Sequence, residues 1–338
     1  MCRHICPIGN ATGQERNTAR ARALSLSLVE RGGAELNGDI IDNVYECALC
    51  GACTKECVTG WDPVKFTKET RLEAALTGKM PEYVEKLLDN FEKSGNVYGT
   101  ESKIKEIKQN ADILFFIGAD ARAKCPEAAE KAIELLNKAG VKFDVFSDEP
   151  DSGYSFDFLI GAADETKKVM KKCAEALDYK TIICYDSSDA KVFLREYKEW
   201  GIELAADVVT FPAYIAELIK NGALSPNKTD KSYTFQDPAH LARDLEDTQS
   251  AREVLKSLGN LKEMLLFGRD TMLAGNLIMN EYMPDVMKLT AINRLKNAEH
   301  VGCETLVTAS PSEYVLLKEN KPDNINVITL EEAVLQCL

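Results

Sequence analysis

The chain is 338 residues long, room for two or three domains with cores of their own. A net charge of −13 argues against nucleic acid and anionic membrane surfaces as partners, and it suits contact with basic patches. Its longest apolar stretches, such as Ile113–Ile117, are strand-length and too short to span a bilayer. The polar, cysteine-bearing amino terminus shows no signal peptide. Six of the eleven cysteines fall in the first 57 residues. That usage reads as cofactor ligation in a reducing cytoplasm and not as a disulfide framework.

Residues 1–98 read as mainly helical. They open on Cys2-Arg3-His4-Ile5-Cys6-Pro7, a C-x3-C-P segment. A helix is predicted over Thr18–Arg31, with Ala21, Leu24 and Leu28 on one face and Gly32-Gly33 as its stop. Asp42 to Cys47 leads into Cys47-Ala-Leu-Cys50-Gly-Ala-Cys53-Thr-Lys-Glu-Cys57. C-x2-C-x2-C-x3-C is the spacing with which two-cluster ferredoxins hold cubane iron–sulfur clusters, the fourth cysteine serving the other cluster. Three thiolates on one tight loop reach three corners of a small cube. Zinc knuckles also use C-x2-C pairs, but they bring two separated pairs, and the third cysteine disfavours them.

In that crossed arrangement Cys47, Cys50 and Cys53 take their fourth ligand from Cys6, which completes one [4Fe-4S] cluster. Cys2 and Cys57 are candidates for a second cluster that lacks two thiolates. Three explanations stand open: residues upstream of Met1, ligands from a partner chain, or a single cluster. His4 is read as a surface residue.

Two further helices are predicted, Pro63–Thr77 and Pro81–Lys93, and then a linker at Ser94–Gly99. From there strands alternate with amphipathic helices, the pattern of a parallel-sheet α/β fold. Predicted strands are Asp112–Gly118, Lys142–Phe146, Asp157–Gly161 and Lys180–Tyr185. Predicted helices are Pro126–Ala139 and Asp164–Leu177. The pattern then repeats. Tyr233-Thr-Phe-Gln-Asp-Pro238 resembles the Ile113 strand and its turn, and Gln249–Leu258 matches the helix that ends in a glycine. Glu304–Ser312 follows Lys180–Ser188 almost position for position. The fold class is α+β overall: a helical ferredoxin-type domain over 1–98, then repeated α/β halves over 99–225 and 226–338.

Cys6-Pro-Ile-Gly-Asn-Ala-Thr-Gly-Gln-Glu-Arg16 and Ala19-Arg-Ala-Arg22 resemble the amino-terminal segment of iron–sulfur subunits of the glycolate oxidase and lactate dehydrogenase type. The repeated halves resemble the CCG domains of the same proteins and of heterodisulfide reductase. In that family each half carries a C…CCG…CxxC set. This chain keeps the frame without the thiolates. The family's cysteine positions fall on Ala119, Asp151-Ser152-Gly153 and Asp186-Ser-Ser-Asp189 in the first half. In the second they fall on Ala239, Leu273-Ala274-Gly275 and Ser310-Pro-Ser-Glu313. A cluster prefers soft sulfur to hydroxyl and carboxylate, so no catalytic cluster is expected there. Asp151, Asp186, Asp189 and Glu313 offer hard oxygen donors and His240 a base, but capping roles at strand-to-helix turns are the favoured reading. Cys125, Cys173, Cys184, Cys303 and Cys337 are read as small core residues.

The resemblance implies a non-catalytic electron-transfer subunit of a multi-subunit oxidoreductase. Its expected partner is an FAD-bearing flavoprotein, with ferredoxin or another iron–sulfur subunit as a further candidate. Arg16, Arg20 and Arg22 are expected beside the cluster or on an exposed basic face. The alternative is a docking subunit whose cluster only staples the fold.

Overall fold

The computed structural model describes residues 2–338. The amino-terminal region is helical. Pro7–Thr12 starts on proline behind Cys6, and Ala19–Glu30 is capped by the Thr18 hydroxyl, which accepts from Ala21 N–H. Gly38–Tyr45, Pro63–Leu76 and Glu82–Ser94 follow. The Ala19–Glu30 helix buries a face other than the apolar one: Ala19, Arg22 and Leu26 point inward. Leu24 and Leu28 stay 58% and 46% exposed. An arginine at a core position explains the rotation, and its purpose lies in the site described below.

Two parallel sheets form the rest. The first has order β1 (Ile113–Phe116), β2 (Thr181–Cys184), β3 (Asp207–Thr210). The second has order β5 (Asn260–Leu261), β4 (Ser232–Gln236), β6 (Thr305–Thr308), β7 (Asn326–Thr329). In register, β1 lies on β2 as β4 lies on β6, and β3 corresponds to β7. β1, β2, β4 and β6 are the expected strands, and β3, β5 and β7 join them as edge strands.

Two expected strands differ. Asp157–Gly161 belongs to a helix, Tyr154–Ile160, buried at every position. A short apolar run buried on all sides carries no period to separate strand from helix. Lys142–Phe146 makes only isolated bridges, Leu114 with Asp144 and Ile107 with Val145. There the Asp144 carboxylate accepts from Gln109 N–H and Ala111 N–H, so a side chain replaces part of the ladder.

One contiguous core runs from the cysteine segments through both sheets. Tyr45 Oη donates to Leu159 O at 2.9 Å, Tyr282 Oη donates to Tyr45 O at 3.0 Å, and Tyr282 stacks on Tyr83 at 4.7 Å. These bonds tie the amino-terminal helices to each half. Tyr45→Phe leaves the buried Leu159 carbonyl without its donor and is expected to lower unfolding stability by about 1–2 kcal/mol. A urea midpoint equal to that of the parent protein would contradict this coupling.

Candidate metal centre

Cys6 stands at the head of the Pro7–Thr12 helix, where its Sγ accepts from Gly9 N–H at 3.5 Å. Gly9 is required by crowding, because a Cβ there would meet Thr18 Cγ2 at 2.8 Å. The second segment, Cys47–Cys53, turns sharply through two left-handed residues, Leu49 at φ +50° and Gly51 at φ +74°. A leucine in that region is strained, and such strain concentrates at functional loops. Cys6, Cys47 and Cys50 are buried and Cys53 half-buried.

The four thiols are close enough to act on one another electrostatically. Burial raises Cys6, Cys50 (to about 11) and Cys53, and Cys47 adds to the rise at all three. Cys6 adds to it at Cys50 and Cys53. Arg22 pulls the other way on Cys6 and Cys53, and Arg243 on Cys50. Arg22 is itself raised: burial lowers it, and Cys47, Cys6 and Cys53 outweigh the burial. Its Nε is buried with no hydrogen-bond partner, and Nη1 reaches only Asn43 O and Glu46 O, at 3.4 and 3.5 Å. A buried guanidinium bonded to Cys6, coupled to Cys47 and Cys53 and with its Nε unmet, fits a set that is ionised when in use. Cysteine thiolates are the ligands that hold iron–sulfur clusters, so the donor chemistry fits such a group. Among the described residues, no three His, Cys, Asp or Glu side chains form a site for a single metal ion.

Two further arginines hold the loop by its carbonyls. Arg71, fully buried in the Pro63–Leu76 helix, donates to Cys47 O (2.6 Å), Val44 O and Phe158 O, and lies over the rings of Tyr45 and Phe158. Arg243 donates to Cys50 O at 2.6 Å, and also to Arg269 O and Thr271 O. Of the three arginines expected near the cluster, Arg22 alone turns inward. Arg16 pairs with Glu46 at 2.8 Å on the surface, and Arg20 is exposed. Cys57 lies 3.2 Å from Thr59 Oγ1, whose hydrogen bond lowers its thiol, and Cys2 is half-buried. The structure shows neither joining the group of four.

The positions at which the resemblance would expect thiolates lie toward the carboxyl ends of the strands. A cavity of 20 Å³, about one water in size, is bounded by Ala48, Asp186, His240, Asn276, Ser312 and Glu313. Ser312 Oγ donates to Asp120, Ser152 Oγ to Asp189, and Asn276 Nδ2 to Tyr154 Oη. Burial, and then Asp186, lifts Asp120 to about 7. Burial lifts Asp151 to about 6 and Glu313 to about 8, and raises Asp186 and Asp189. Asp186 caps Ser188 N–H, Asp151 accepts from Gly153 N–H, and Glu313 accepts from Ala274 N–H and Gln236. Asp186 caps its helix, while Asp151, Asp189 and Glu313 are spent on turn and side-chain hydrogen bonds.

Residues 1–61 match the family of 4Fe-4S dicluster domains. The chain is 25% identical over 295 residues to a subunit of the dihydromethanophenazine:CoB–CoM heterodisulfide reductase of Methanosarcina acetivorans, covering 80% of this chain and 71% of that one. It is 23% identical over 343 residues to an uncharacterized iron-sulfur protein of Methanocaldococcus jannaschii, covering 96% and 68%. The chain is thus similar to a heterodisulfide reductase subunit and to other iron–sulfur proteins, with a 4Fe-4S domain match at its amino terminus. Among solved structures, a glutamate racemase from Bacillus anthracis aligns with 67% of this chain and 79% of its own at 13% identity and a TM-score of 0.33.

The iron–sulfur protein has no helix, among the described residues, long and apolar enough to cross a membrane. Cys125, Cys173, Cys184, Cys303 and Cys337 are buried away from its cysteine loop. Arg71 and Arg243 escape a reading by motif. Arg71 left one trace, since it falls on the buried stripe of its helix with Thr67 and Ala74. Arg243 left none.

Glu313 gives a pH test. A carboxyl raised in the folded state keeps a proton that the unfolded chain has released, from its ordinary 4.5 up to about 8. Stability is therefore full below 4.5 and falls as pH rises through about 8. Glu313→Gln is expected to remove up to about 1.4 kcal/mol per pH unit from that fall. Urea midpoints taken between about pH 6 and about pH 8.5 check it. Equal slopes in parent and variant would show that Glu313 is not the group responsible.

Proposed function

We propose that this chain is a one-electron relay in a multi-subunit oxidoreductase, with a [4Fe-4S] cluster held by Cys6, Cys47, Cys50 and Cys53. The observation that supports the reading is the electrostatic coupling of four thiols from two segments far apart in sequence, three of which act on the buried guanidinium of Arg22. Such a cluster supplies one-electron transfer at a potential set by burial and by hydrogen bonds to its sulfurs. Residues 1–98 form the electron-carrying part, and the halves 99–225 and 226–338 support it. No catalytic cluster is assigned to the halves, because the strand-end positions carry aspartate, serine, alanine and glutamate. The partner of choice is a flavoprotein, since a flavin splits a two-electron exchange into single electrons. That the heterodisulfide reductase relatives are themselves subunits supports a place in a complex.

In this reading Arg22 offsets the negative charge of the thiolates, while Arg71 and Arg243 fix the loop by its carbonyls. Burial of Cys6, Cys47 and Cys50 keeps water from three of the four sulfurs.

Iron and acid-labile sulfide on anaerobically purified protein test the assignment. About four of each per chain are expected, falling away in Cys50→Ser. About eight of each would enlist Cys2 and Cys57 in a second cluster. Zinc in place of iron would sink the relay.

The role of Arg22 has its own readout. Arg22→Met removes a positive charge from beside the thiolates, so potentiometric titration is expected to give a more negative midpoint, with iron content retained. An unmoved midpoint would reduce Arg22 to a packing residue. A cluster that never changes oxidation state in the working complex would leave the docking-subunit reading.

A further inference from the structure

Asp237 stands one residue beyond β4, at the end of the strand motif that the two halves share, and is 1% exposed. The fold itself does not demand a carboxylate there. With the Lys180 and Glu304 segments matched, the strand register makes Ile117 its counterpart in the first half, also buried. A buried carboxylate is costly unless it is paired and hydrogen-bonded, and Asp237 is both. Arg252 donates to its two oxygens at 2.5 and 2.8 Å, and Glu263 holds the same guanidinium at 2.8 and 3.0 Å. Bidentate pairing of this kind fixes orientation as well as charge.

Asp237 also holds one turn. Its Oδ2 accepts from Gly268 N–H at 2.7 Å, and its backbone carbonyl accepts from Thr271 Oγ1 at 3.1 Å. Gly268 lies at φ +58°, a left-handed conformation that glycine takes at little cost. The turn 268–271 is therefore pinned at both ends, and its carbonyls hold Arg243. Arg243 Nε donates to Arg269 O at 3.1 Å, and Nη2 donates to Thr271 O. These bonds orient the guanidinium, and Nη1 then falls on Cys50 O at 2.6 Å. Burial raises the Cys50 thiol, and the charge of Arg243 opposes the rise.

We propose that Asp237 is a positioning residue for the cysteine loop: through the turn 268–271 it sets the place of Arg243, and through Arg243 the Cys50 carbonyl and the charge beside the Cys50 sulfur. The inference rests on the relay reading for its effect on a cluster; its effect on the loop stands on the hydrogen bonds alone.

Asp237→Asn, Arg243→Met and the double variant test it in the full chain, with iron and sulfide measured on every sample. Both carboxylate oxygens of Asp237 accept, so the amide sets a donor against a donor. Glu149→Gln is the control, a buried carboxylate paired with Arg122 in the first half. Amide exchange of the 47–53 segment is expected to rise about tenfold in each single variant, no further in the double variant, and not in the control. Potentiometric titration is expected to give a lower midpoint for Asp237→Asn. The sign is diagnostic, because loss of a negative charge alone raises a midpoint, whereas loosening Arg243 lowers it. Arg243→Met is expected to lower the parent's midpoint and to add little in the Asp237→Asn background. Thr271→Val, which removes one bond from the same turn, gives a smaller change in the same directions and serves if Asp237→Asn does not fold. Exchange like the parent's in these variants, or raised equally in the control, would overturn the positioning role. So would a midpoint that stays, moves upward or shifts additively, and in each case the relay would stand. The expected exchange pattern on protein whose parent holds no iron would keep the role and remove the relay.

Discussion

The cysteine loop depends on buried guanidinium groups. A loop that carries three of the four coupled thiols must turn its carbonyls somewhere, and here those of Cys47 and Cys50 point into protein. An unmet buried carbonyl costs about 1–3 kcal/mol, so the loop needs donors that reach it from outside. Arg71 and Arg243 supply them at 2.6 Å to Cys47 O and Cys50 O. One comes from the amino-terminal helices and the other from the second α/β half. The loop therefore takes its shape only when those regions have docked. Phe158 O, a further acceptor of Arg71, adds the first half to the same knot.

Charge explains why these are arginines. A planar fork with five donors reaches several carbonyls at once and never loses its proton. Three buried cations beside four neutral thiols are an imbalance, and beside four thiolates they are a counterbalance. Arg22 shows this most directly, because its Nε has no protein acceptor to satisfy it. The same demand rotates the Ala19–Glu30 helix, burying Arg22 and leaving Leu24 and Leu28 outside. Helix packing has yielded to electrostatics at this place.

That yielding marks the limit of what the sequence discloses. The cysteine spacing, the proline and glycine punctuation and the alternation of strand with helix are local signals, and they place the helices and the repeated parallel strands. The Glu304 and Lys180 segments can be matched by eye because each must form a central buried strand. The Tyr154–Ile160 helix is opaque, since burial on all sides erases the period that would name it. Arg243 is opaque for another reason. Its function lies in a contact with Cys50, 193 residues away, and nothing beside it in the chain records that contact.

The loop is also a partition. Ala48 faces the strand-end crevice, which acids, serines and Tyr154 fill with hydrogen bonds. Gly118, Gly153 and Gly275 persist there because side chains crowd them: a Cβ would come within 2.1 Å of Asp189, 2.4 Å of Met170 and 2.2 Å of Leu316. Leu49 and Gly51, the next residues along, face the open 270 Å³ cavity instead. One side of the loop is sealed and holds room for about one water. The other side opens on the cavity, which the Pro63–Leu76 helix and the π turns Val192–Glu196 and His240–Asp244 border.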